Sequence, residues 1–259
     1  MIKPVKLYPF NADKSYLLSR GCKADDVDVT FESYAKKCKT NPISANSASN
    51  ELPFVVCAGV GNGDVFVDKC STRFFFVLEA KAGAKIVSGL STDACKALAN
   101  GDTLPKQCYS SISVKNGDYI TVPKNTPFSI GKDISYVEVY SIKNELHIID
   151  TDDDLKVLCV PEKAAPMLKK PAFHNEHDGF SVKLMCTCES FTAAQINVVG
   201  EYRNSVGGNF KFIFCLDGGA EMKTSDGKIK LKAGDCYFLP AGMGDFGISG
   251  GIEMLIFNK

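Results

Sequence analysis

The sequence lacks the features that mark several large classes of protein. Lysine plus arginine and aspartate plus glutamate both number 30, so the formal net charge is zero and no overall field draws the chain to nucleic acid or to an anionic membrane. No Lys/Arg cluster is interleaved with aromatic residues, as in nucleic-acid-binding modules. No run approaches the roughly 18 apolar residues of a membrane-spanning helix. The sequence therefore predicts neither nucleic acid nor a membrane as a partner.

The N-terminal sequence and the cysteines bear on the compartment. Met1–Lys6 is not followed by a long apolar run, as a signal peptide would require, so we expect a cytoplasmic protein. Cysteine is plentiful, with 11 residues, and several lie in apolar runs, as Cys215 does in Phe212–Leu216. Buried reduced thiols behave as small hydrophobes, and disulfides are rare in the cytosol. We expect the cysteines to be core residues, with disulfides as the alternative.

Strand signals dominate the rest of the chain. The 259 residues suffice for one large domain or two modest ones. Short β-branched and aromatic runs recur between Gly, Asn and Asp residues: Arg73–Leu78, Tyr119–Val122, Tyr136–Tyr140, Lys211–Leu216 and Cys236–Leu239. Short strands joined by turns predict a sandwich or barrel. One helix is predicted from Asp93 to Asn100, ended by Gly101, and the polar residues 31–50 are expected to be irregular with at most one short helix.

An internal repeat indicates two similar β-units. Lys115–Pro123 and Lys232–Pro240 both read Lys-x-Gly-Asp, four strand-like residues and then Pro. Glycine permits the turn that begins the strand, aspartate can bond its own backbone there, and proline closes the strand where no ladder donor is needed. The join is expected between Thr151 and Pro171. We predict a first unit over residues 1–155, including an N-terminal extension and a short helix, and a second over 156–259.

The spacing in both copies resembles the second motif of the cupin superfamily, whose members are small jelly-roll barrels. That motif runs Gly, five residues, Pro, one residue, a small residue, two residues and then a ligand position. The matching residues are Gly117, Pro123, Asn125 and Phe128 in the first copy and Gly234, Pro240, Gly242 and Asp245 in the second. The resemblance implies an all-β fold of two jelly-roll (cupin) barrels in tandem with minor helical content.

A closer resemblance is to the class I mannose-6-phosphate isomerases, in particular their short bacterial form. Val114–Pro127 looks like the family stretch that ends Pro-Ala-Gly-Thr-Pro-His, and Leu231–Phe246 looks like the family's closing barrel. Leu52–Phe54 resembles the entry into the first barrel, and Asp150 matches the aspartate of a Tyr-Arg-Val-Tyr-Asp motif. The similarity extends from that entry to the end of the chain.

The resemblance implies a zinc site whose ligands are replaced here. Family members interconvert mannose 6-phosphate and fructose 6-phosphate with a zinc ion, which needs imidazole and carboxylate ligands and acts as a Lewis acid. At the matched positions a polar residue becomes Phe66, two histidines become Asp68 and Phe128, a glutamate becomes Arg73, and the catalytic arginine falls near His147. The chain has only three histidines, and His147 is the only one in the first unit. We expect no zinc, no other cofactor and no catalytic residue of the family type.

Two pairs of hypotheses concern these matched positions. Asp68 and Arg73 either pair, filling the charge left by the metal, or are solvated separately at a barrel rim. Arg73 and His147 would offer hydrogen-bond donors to a phosphate and Phe128 an aromatic face to a sugar, so a sugar phosphate is the partner that the resemblance implies. Alternatively, the phenylalanines at these positions and in the run Phe74–Phe76 fill the vacated cavity as core.

Four further motifs favour structural interpretations. The run from His174 to His177 resembles a metal pair, but its position before Asp-Gly predicts a solvated loop. Cys186 and Cys188 place two thiols on one face of a strand, and without a second Cys pair at zinc spacing they are predicted to be core. Val60–Asp64 lacks the Lys-Ser/Thr of a phosphate loop and predicts a tight turn. Thr151–Asp154 is interpreted as a solvated linker, with calcium as the weaker alternative.

Three functional hypotheses remain open at the level of sequence. The leading one is a degenerate isomerase homologue that is inactive as a zinc enzyme and acts as a sugar or sugar-phosphate binding or regulatory module. The second is an active mannose-6-phosphate isomerase with unorthodox ligands. The third is a structural partner of an active paralogue. Replacement of every matched ligand favours the first hypothesis over the second, and the sequence predicts no particular oligomeric state.

Overall fold

The structure, a computed structural model, describes residues 4–6, 36, 38, 40–44, 51–159 and 173–259. The chain forms two compact units, which we call the first unit (Phe54–Lys169) and the second unit (Met1–Pro53 with Lys170–Lys259). Strands account for 57% of the structure, and the described residues include two helices. The predicted all-β fold with minor helical content is confirmed. No helix within these residues is both long and apolar enough to cross a membrane.

The first unit contains two antiparallel sheets and two short helices. Its elements are β2 (Phe54–Val60), β3 (Phe66–Asp68), β4 (Arg73–Ala80), β5 (Lys85–Leu90), α1 (Thr92–Asn100), β6 (Tyr109–Ser113), β7 (Tyr119–Val122), β8 (Pro127–Ile130), β9 (Ile134–Ser141), β10 (Leu146–Ile148) and α2 (Asp152–Leu158). The five-stranded sheet has the order β10-β3-β8-β5-β6 and the four-stranded sheet β2-β9-β4-β7. Side chains from both sheets, including Phe75, Val77 and Phe128, form one buried cluster.

The second unit is built on one nine-stranded antiparallel sheet. Its strands are β1 (Val5–Lys6), β11 (Phe173–His177), β12 (Phe180–Thr187), β13 (Thr192–Val198), β14 (Glu201–Val206), β15 (Lys211–Thr224), β16 (Gly227–Lys232), β17 (Cys236–Leu239) and β18 (Gly244–Asn258). The order is β1-β17-β15-β18-β13-β12-β11, with β14 paired to β18 and β16 to β15. The long strands β15 and β18 supply Ile213, Met222 and Met254 to its buried core.

The sequence repeat builds the same turn in both units. Gly117 and Gly234 adopt φ values of 82° and 84°, which glycine reaches without steric cost. The following aspartates bond back to the turn: Asp118 Oδ2 accepts from the Lys115 N–H at 2.9 Å, and Asp235 Oδ2 accepts from the Lys232 N–H at 3.1 Å. The predicted roles of glycine and aspartate in the repeat are therefore confirmed.

Helix α1 was predicted from the sequence, whereas helix α2 was not. Helix α1 begins after Ser91, whose side chain accepts from the Ala94 N–H, and ends at Gly101 with φ 75°, one residue longer than predicted. The acidic run predicted to be a solvated linker is wrong in part. Thr151 and Asp154 form a capping box, in which each side chain bonds the other residue's backbone, and this begins α2.

The described N-terminal residues differ from the predicted arrangement. Strand β1 pairs with β17, with Val5 opposite Phe238 and Lys6 opposite Tyr237, and Lys6 Nζ lies 2.7 Å from Asp235 Oδ1. The sequence analysis assigned these residues to the first unit, whereas the structure groups them with the second. A ladder between strands more than 200 residues apart leaves no signal in local sequence.

Parts of two predicted regions lie outside the described residues. In the predicted irregular segment 31–50, the structure describes residues 36, 38 and 40–44, where Ser44 forms a bridge with Asn209. The hypothesised short helix in the remainder of that segment falls outside this description. So does most of the predicted join, at residues 160–172.

The close pairing of β15 with β18 predicts that alanine substitutions at two neighbouring glycines differ sharply in their effect on stability. Gly218 has φ +81°, and a Cβ there would meet the Gly251 carbonyl oxygen at 2.2 Å. At Gly219 the nearest atom to an added Cβ is the Leu231 oxygen, at an ordinary 3.5 Å. We expect Gly218→Ala to lower the free energy of unfolding by about 2–4 kcal/mol. Gly219→Ala, the matched control, should change it by less than about 1 kcal/mol. Chemical denaturation measures both, and equal effects would contradict this close approach.

Candidate functional site

Alternation along β4 sends Arg73 into the interior of the first unit. Arg73, Phe75 and Val77 share one face of the strand, and Phe75 and Val77 belong to the unit's buried cluster. Strand β9 lies beside β4, with Phe75 opposite Glu138 and Arg73 opposite Tyr140. The inward side chains of these two strands therefore bring a guanidinium, a carboxylate and a phenol to the same interior region.

Asp68, at the end of β3, is a fully bonded buried carboxylate with 2% exposure. Its Oδ1 accepts from the backbone N–H groups of Cys70, Ser71 and Glu145 at 3.0, 2.8 and 3.3 Å. Its Oδ2 accepts from Arg73 Nε at 2.9 Å. Backbone donors and a guanidinium together compensate for the desolvation of the buried charge. Both oxygens of the carboxylate therefore already accept hydrogen bonds from the protein.

Arg73 lies between two carboxylates and is 3% exposed. Its Nε bonds to Asp68, and its Nη1 bonds to Glu138 Oε1. We call Asp68, Arg73 and Glu138 the buried triad. The hypothesised Asp68–Arg73 pair is confirmed, and the alternative of separately solvated rim residues is wrong, because both side chains lie inside the barrel.

The triad shifts the pKa values of Arg73 and Glu138. Burial disfavours the charged guanidinium, but the carboxylates of Glu138 and Asp68 outweigh burial and raise the pKa of Arg73. Burial raises the pKa of Glu138 above its usual value, and Arg73 only partly opposes this. Two carboxylates thus share one cation, and for Glu138 the attraction of that cation does not offset burial.

Aromatic rings enclose the guanidinium. Its Cζ lies 4.2 Å from the ring centroid of Tyr140 and 5.6 Å from that of Phe128, positions suited to cation–π attraction. Phe128 in turn packs against Phe75 and Phe66, with ring centroids 5.4 and 5.9 Å apart. The two matched phenylalanines therefore lie in one aromatic cluster beside the triad.

A buried thiol lies beside the other polar groups in the interior of the first unit. Cys57, on β2 opposite Glu138, donates to the Tyr140 hydroxyl at 3.7 Å. Burial, with the nearby Glu138 carboxylate, raises the pKa of Cys57 to about 12, so the thiol stays protonated. Burial also raises the pKa of Tyr140. These groups are inert hydrogen-bonding members of the core near neutral pH.

His147 stands apart from the other matched positions. It lies on β10 opposite Val67, its side chain is 37% exposed, and its Nε2 lies 2.8 Å from Glu145 Oε1. The structure therefore brings Phe66, Asp68, Arg73 and Phe128 together, whereas the ring of His147 bonds at the surface.

Sequence reasoning missed Glu138 and Tyr140. Both lie in the run Tyr136–Tyr140, which was predicted only as a strand. Alternation places Tyr136, Glu138 and Tyr140 on one face, and a carboxylate among aromatic residues on an inward face needs a cation. This carboxylate among inward aromatic residues was the feature of the sequence that could have identified Glu138 as a site residue. Naming Arg73 as the cation required the register between β4 and β9.

The residues of this site do not fit a zinc ion. Phe66 and Phe128 carry no donor atom, and the guanidinium of Arg73 repels a cation. The oxygens of Asp68 already accept four hydrogen bonds, and Glu138 bonds to Arg73. Nowhere in the described part of the chain do three or more His, Cys, Asp or Glu side chains form a group that could hold a metal. The charged groups of the site instead bond to one another in an ion-pair network.

The other motifs resolve as structural elements. The predicted loop from His174 to His177 is wrong: these residues lie in exposed strand β11, which pairs with β12, and the ring of His177 stacks on Phe180 at 4.5 Å. The predicted tight turn after Val60 is not seen: residues 61–65 form an irregular segment in which the Gly61 and Gly63 N–H groups donate to the oxygens of Ile134 and Ile130, and Asn62 Oδ1 accepts from the Asp64 N–H at 3.1 Å.

Comparisons with known proteins agree with the resemblance seen in the sequence. Residues 181–258 match the family described as "Mannose-6-phosphate isomerase, cupin domain". The chain is 22% identical over 219 residues to mannose-6-phosphate isomerase ManA of Bacillus subtilis (strain 168), covering 75% of this chain and 65% of that protein. It is 22% identical over 201 residues to the putative mannose-6-phosphate isomerase YvyI of the same organism, covering 71% and 63%. The matches thus span just under two thirds of each relative's length.

Solved structures share the fold. The crystal structure of the mannose 6-phosphate isomerase from Bacillus subtilis aligns with a TM-score of 0.75 and 15% identity, covering 99% of this chain and 98% of that one. A putative mannosephosphate isomerase from Archaeoglobus fulgidus aligns with a TM-score of 0.63 and 14% identity, covering 88% and 79%. A zinc-bound mannose 6-phosphate isomerase aligns with a TM-score of 0.66 and 12% identity, covering 88% and 85%. The chain therefore shares the cupin-type fold of these mannose 6-phosphate isomerases.

The buried triad predicts a large and pH-dependent cost for removing its cation. Arg73→Met should lower the free energy of unfolding by about 3–5 kcal/mol at neutral pH, because two buried carboxylates lose their partner. Without the guanidinium the folded-state pKa of Glu138 rises further. Protonation then relieves the repulsion, so the loss should shrink as the pH falls from 8 toward 5. Chemical denaturation across this pH range measures both effects.

The control for this variant is the exposed ion pair of Lys81 with Asp133, whose side chains are 79% and 55% exposed. Lys81→Met should cost less than about 1 kcal/mol and show little pH dependence over the same range. A loss for Arg73→Met as small as that of the control would contradict the buried triad.

Proposed function

We propose that this mannose-6-phosphate isomerase-like cupin protein is a pseudoenzyme, inactive as a zinc sugar isomerase and acting as a non-catalytic regulatory or binding module. The observation that carries the proposal is the guanidinium of Arg73, which bonds Asp68 and Glu138 inside the first unit. A protein cation thus lies where the resemblance to the isomerase family expects a metal.

The charges of the buried triad disfavour metal binding at this place. Zinc catalysis needs ligands that leave one coordination position open to substrate. For Asp68 or Glu138 to become ligands, their bonds to Arg73 would have to break, leaving the guanidinium buried beside a divalent cation. Unpaired buried charge costs several kcal/mol, and like charges at short range add to that cost.

The packing of the matched phenylalanines supports the same proposal. Phe128 is 3% exposed and contacts Phe66, Phe75 and the face of Arg73. These rings pack tightly against one another, as expected if large side chains close a cavity. This arrangement favours the cavity-filling hypothesis over a retained sugar-phosphate pocket, although sugar-phosphate binding stays a prediction to be tested.

The active-isomerase hypothesis would require a different centre. It needs a proton-transfer group and an electrophile close to one substrate position. In the first unit the inward Cys57 and Tyr140 hold their protons tightly because burial raises the pKa of both groups. His147, the remaining matched group, bonds Glu145 at the surface. No observation among the described residues favours this hypothesis over the pseudoenzyme.

The deciding experiment is a coupled isomerase assay on the full chain with added zinc. The purified protein and mannose 6-phosphate should give fructose 6-phosphate no faster than a protein-free blank, while an active mannose-6-phosphate isomerase in the same buffer gives the expected signal. Zinc-dependent turnover by this chain, lost in Asp68→Asn, would overturn the proposal.

A thermal-shift measurement separates binding from turnover. With the triad closed, millimolar mannose 6-phosphate should leave the melting temperature unchanged, because a ligand raises it only by binding the folded state. A rise that is lost in His147→Ala, a substitution at an exposed position, would instead support a sugar-phosphate binding module that involves the matched positions.

A further inference from the structure

Strand β11 lies at one edge of the nine-stranded sheet of the second unit. Within the described residues it pairs with β12 alone, from Phe173 opposite Leu184 to His177 opposite Phe180. All five residues of β11 are exposed. Among the described residues, the side of β11 away from β12 is therefore an open edge, where backbone N–H and C=O groups have no ladder partner.

The hairpin that joins β11 to β12 determines which backbone groups face this edge. A two-residue turn that contains Gly179, with φ 83°, joins the two strands. The residues that close such a turn, His177 and Phe180, form a hydrogen-bonded pair. Hydrogen-bonded and non-hydrogen-bonded pairs alternate along an antiparallel ladder. The N–H and C=O groups of His174 and Glu176 therefore point away from β12, toward the open edge.

The sequence of β11 does not carry the usual protection of an edge strand. Natural edges are often blocked by lysine, by proline or by a bulge. Strand β11 reads Phe-His-Asn-Glu-His, and its register with β12 is continuous. Phe173 is 48% exposed, which leaves a large apolar side chain beside unpaired backbone groups. These properties favour association with another strand.

The sequence of β11 is also complementary to itself. An antiparallel pairing of two copies about Asn175 places His174 of each copy opposite Glu176 of the other. Histidine donates a hydrogen bond to a carboxylate, and it carries the opposite charge when protonated. Complementary pairs directly opposite each other stabilise an antiparallel ladder. The two-fold axis produces this pair twice.

The same register agrees with the direction of the backbone groups. His174 and Glu176 face the open edge, so each cross-copy pair exchanges two hydrogen bonds, and four backbone bonds cross the axis. A shift by one residue would set Glu176 against Asn175, whose N–H and C=O groups face β12. A shift by two residues would set Glu176 or His174 against its own copy. Charge and ladder geometry therefore select one register.

The pairing also covers the exposed aromatic side chain. Leu184 lies opposite Phe173 on β12, and the ring of His177 stacks on Phe180 at 4.5 Å. The chosen register places Phe173 of one copy opposite His177 of the other. Leu184, Phe173, His177 and Phe180 then form one row on the same face of the joined sheets. Phe180 packs against the core of its unit, so this row continues from the core across the axis.

We propose that β11 is a docking edge for a second copy of this chain, paired antiparallel about a two-fold axis at Asn175. The nine-stranded sheets of two copies then continue into one another. A second copy is the occupant because both the charge pairs and the aromatic row use the sequence of β11 itself. The inference concerns the second unit and stands independently of the function proposed above.

The first test is sedimentation velocity of the full chain over a hundredfold range of concentration. The unmodified chain should pass from monomer to dimer as its concentration rises. Glu176→Lys and His174→Glu each remove both complementary pairs and should raise the dimer dissociation constant about tenfold. The matched control is Glu189→Lys, which makes the same change of charge at an exposed position after β12 and should leave the constant unchanged. A chain that stays monomeric, or a dimer indifferent to both edge variants, would overturn the proposal.

Mixing the two edge variants tests the register. In a mixed pair the glutamate introduced at position 174 lies opposite the lysine introduced at position 176, and the other pair is native. The mixture should therefore form dimers at a concentration where Glu176→Lys or His174→Glu alone is monomeric. Circular dichroism checks that both variants fold. A mixture that associates no better than its components would contradict a two-fold axis at Asn175.

Amide hydrogen exchange, followed by NMR, locates the interface within the strand. The N–H groups of His174 and Glu176 face the edge and should become protected as the concentration rises. The N–H group of Asn175 faces β12 and should change little, which makes it an internal control. Concentration-dependent protection confined to a different surface would place the contact elsewhere and overturn the proposal.

Discussion

The interior of the first unit depends on one buried cation. Arg73 contacts the carboxylates of Asp68 and Glu138 and lies against the ring of Tyr140. A buried ion pair is weak evidence of net stability. Removing one partner nevertheless lowers the free energy of unfolding strongly, because the remaining charge is buried without a partner or water to stabilise it. With two carboxylates on inward positions, the fold requires a cation there. The guanidinium supplies it with planar geometry that satisfies both acids.

This requirement explains the composition around the triad. Asp68 is fixed by three backbone N–H groups, so it cannot turn away from Arg73. The aromatic cluster around Phe128 occupies the adjacent space. A metal ion at this place would meet the same electrostatic need and could also act on a substrate. A guanidinium balances the charge but cannot polarise a sugar oxygen as a Lewis acid does.

The parts of the structure that could be predicted from the sequence are those with local physical signals. The repeated turn depends on Gly117 and Gly234. Helix α1 depends on its caps, Ser91 and Gly101. The Asp68–Arg73 pair was one of two open hypotheses, and the structure was needed to choose between them. Glu138 was missed because its contact with Arg73 depends on the register of β4 and β9. The pairing of strand β1 with β17 likewise depends on a register that local sequence does not determine.

The central proposal is that the guanidinium of Arg73 stands in the first unit where the resemblance implies a metal, and metal linkage tests it most directly. Elemental analysis of the chain, purified without added metal, is combined with melting curves recorded with and without a strong chelator. The account predicts far less than one zinc per chain and an unchanged melting temperature, since a metal held only by the folded state would stabilise it by mass action. One tightly bound zinc per chain, lost together with stability in chelator, would contradict it.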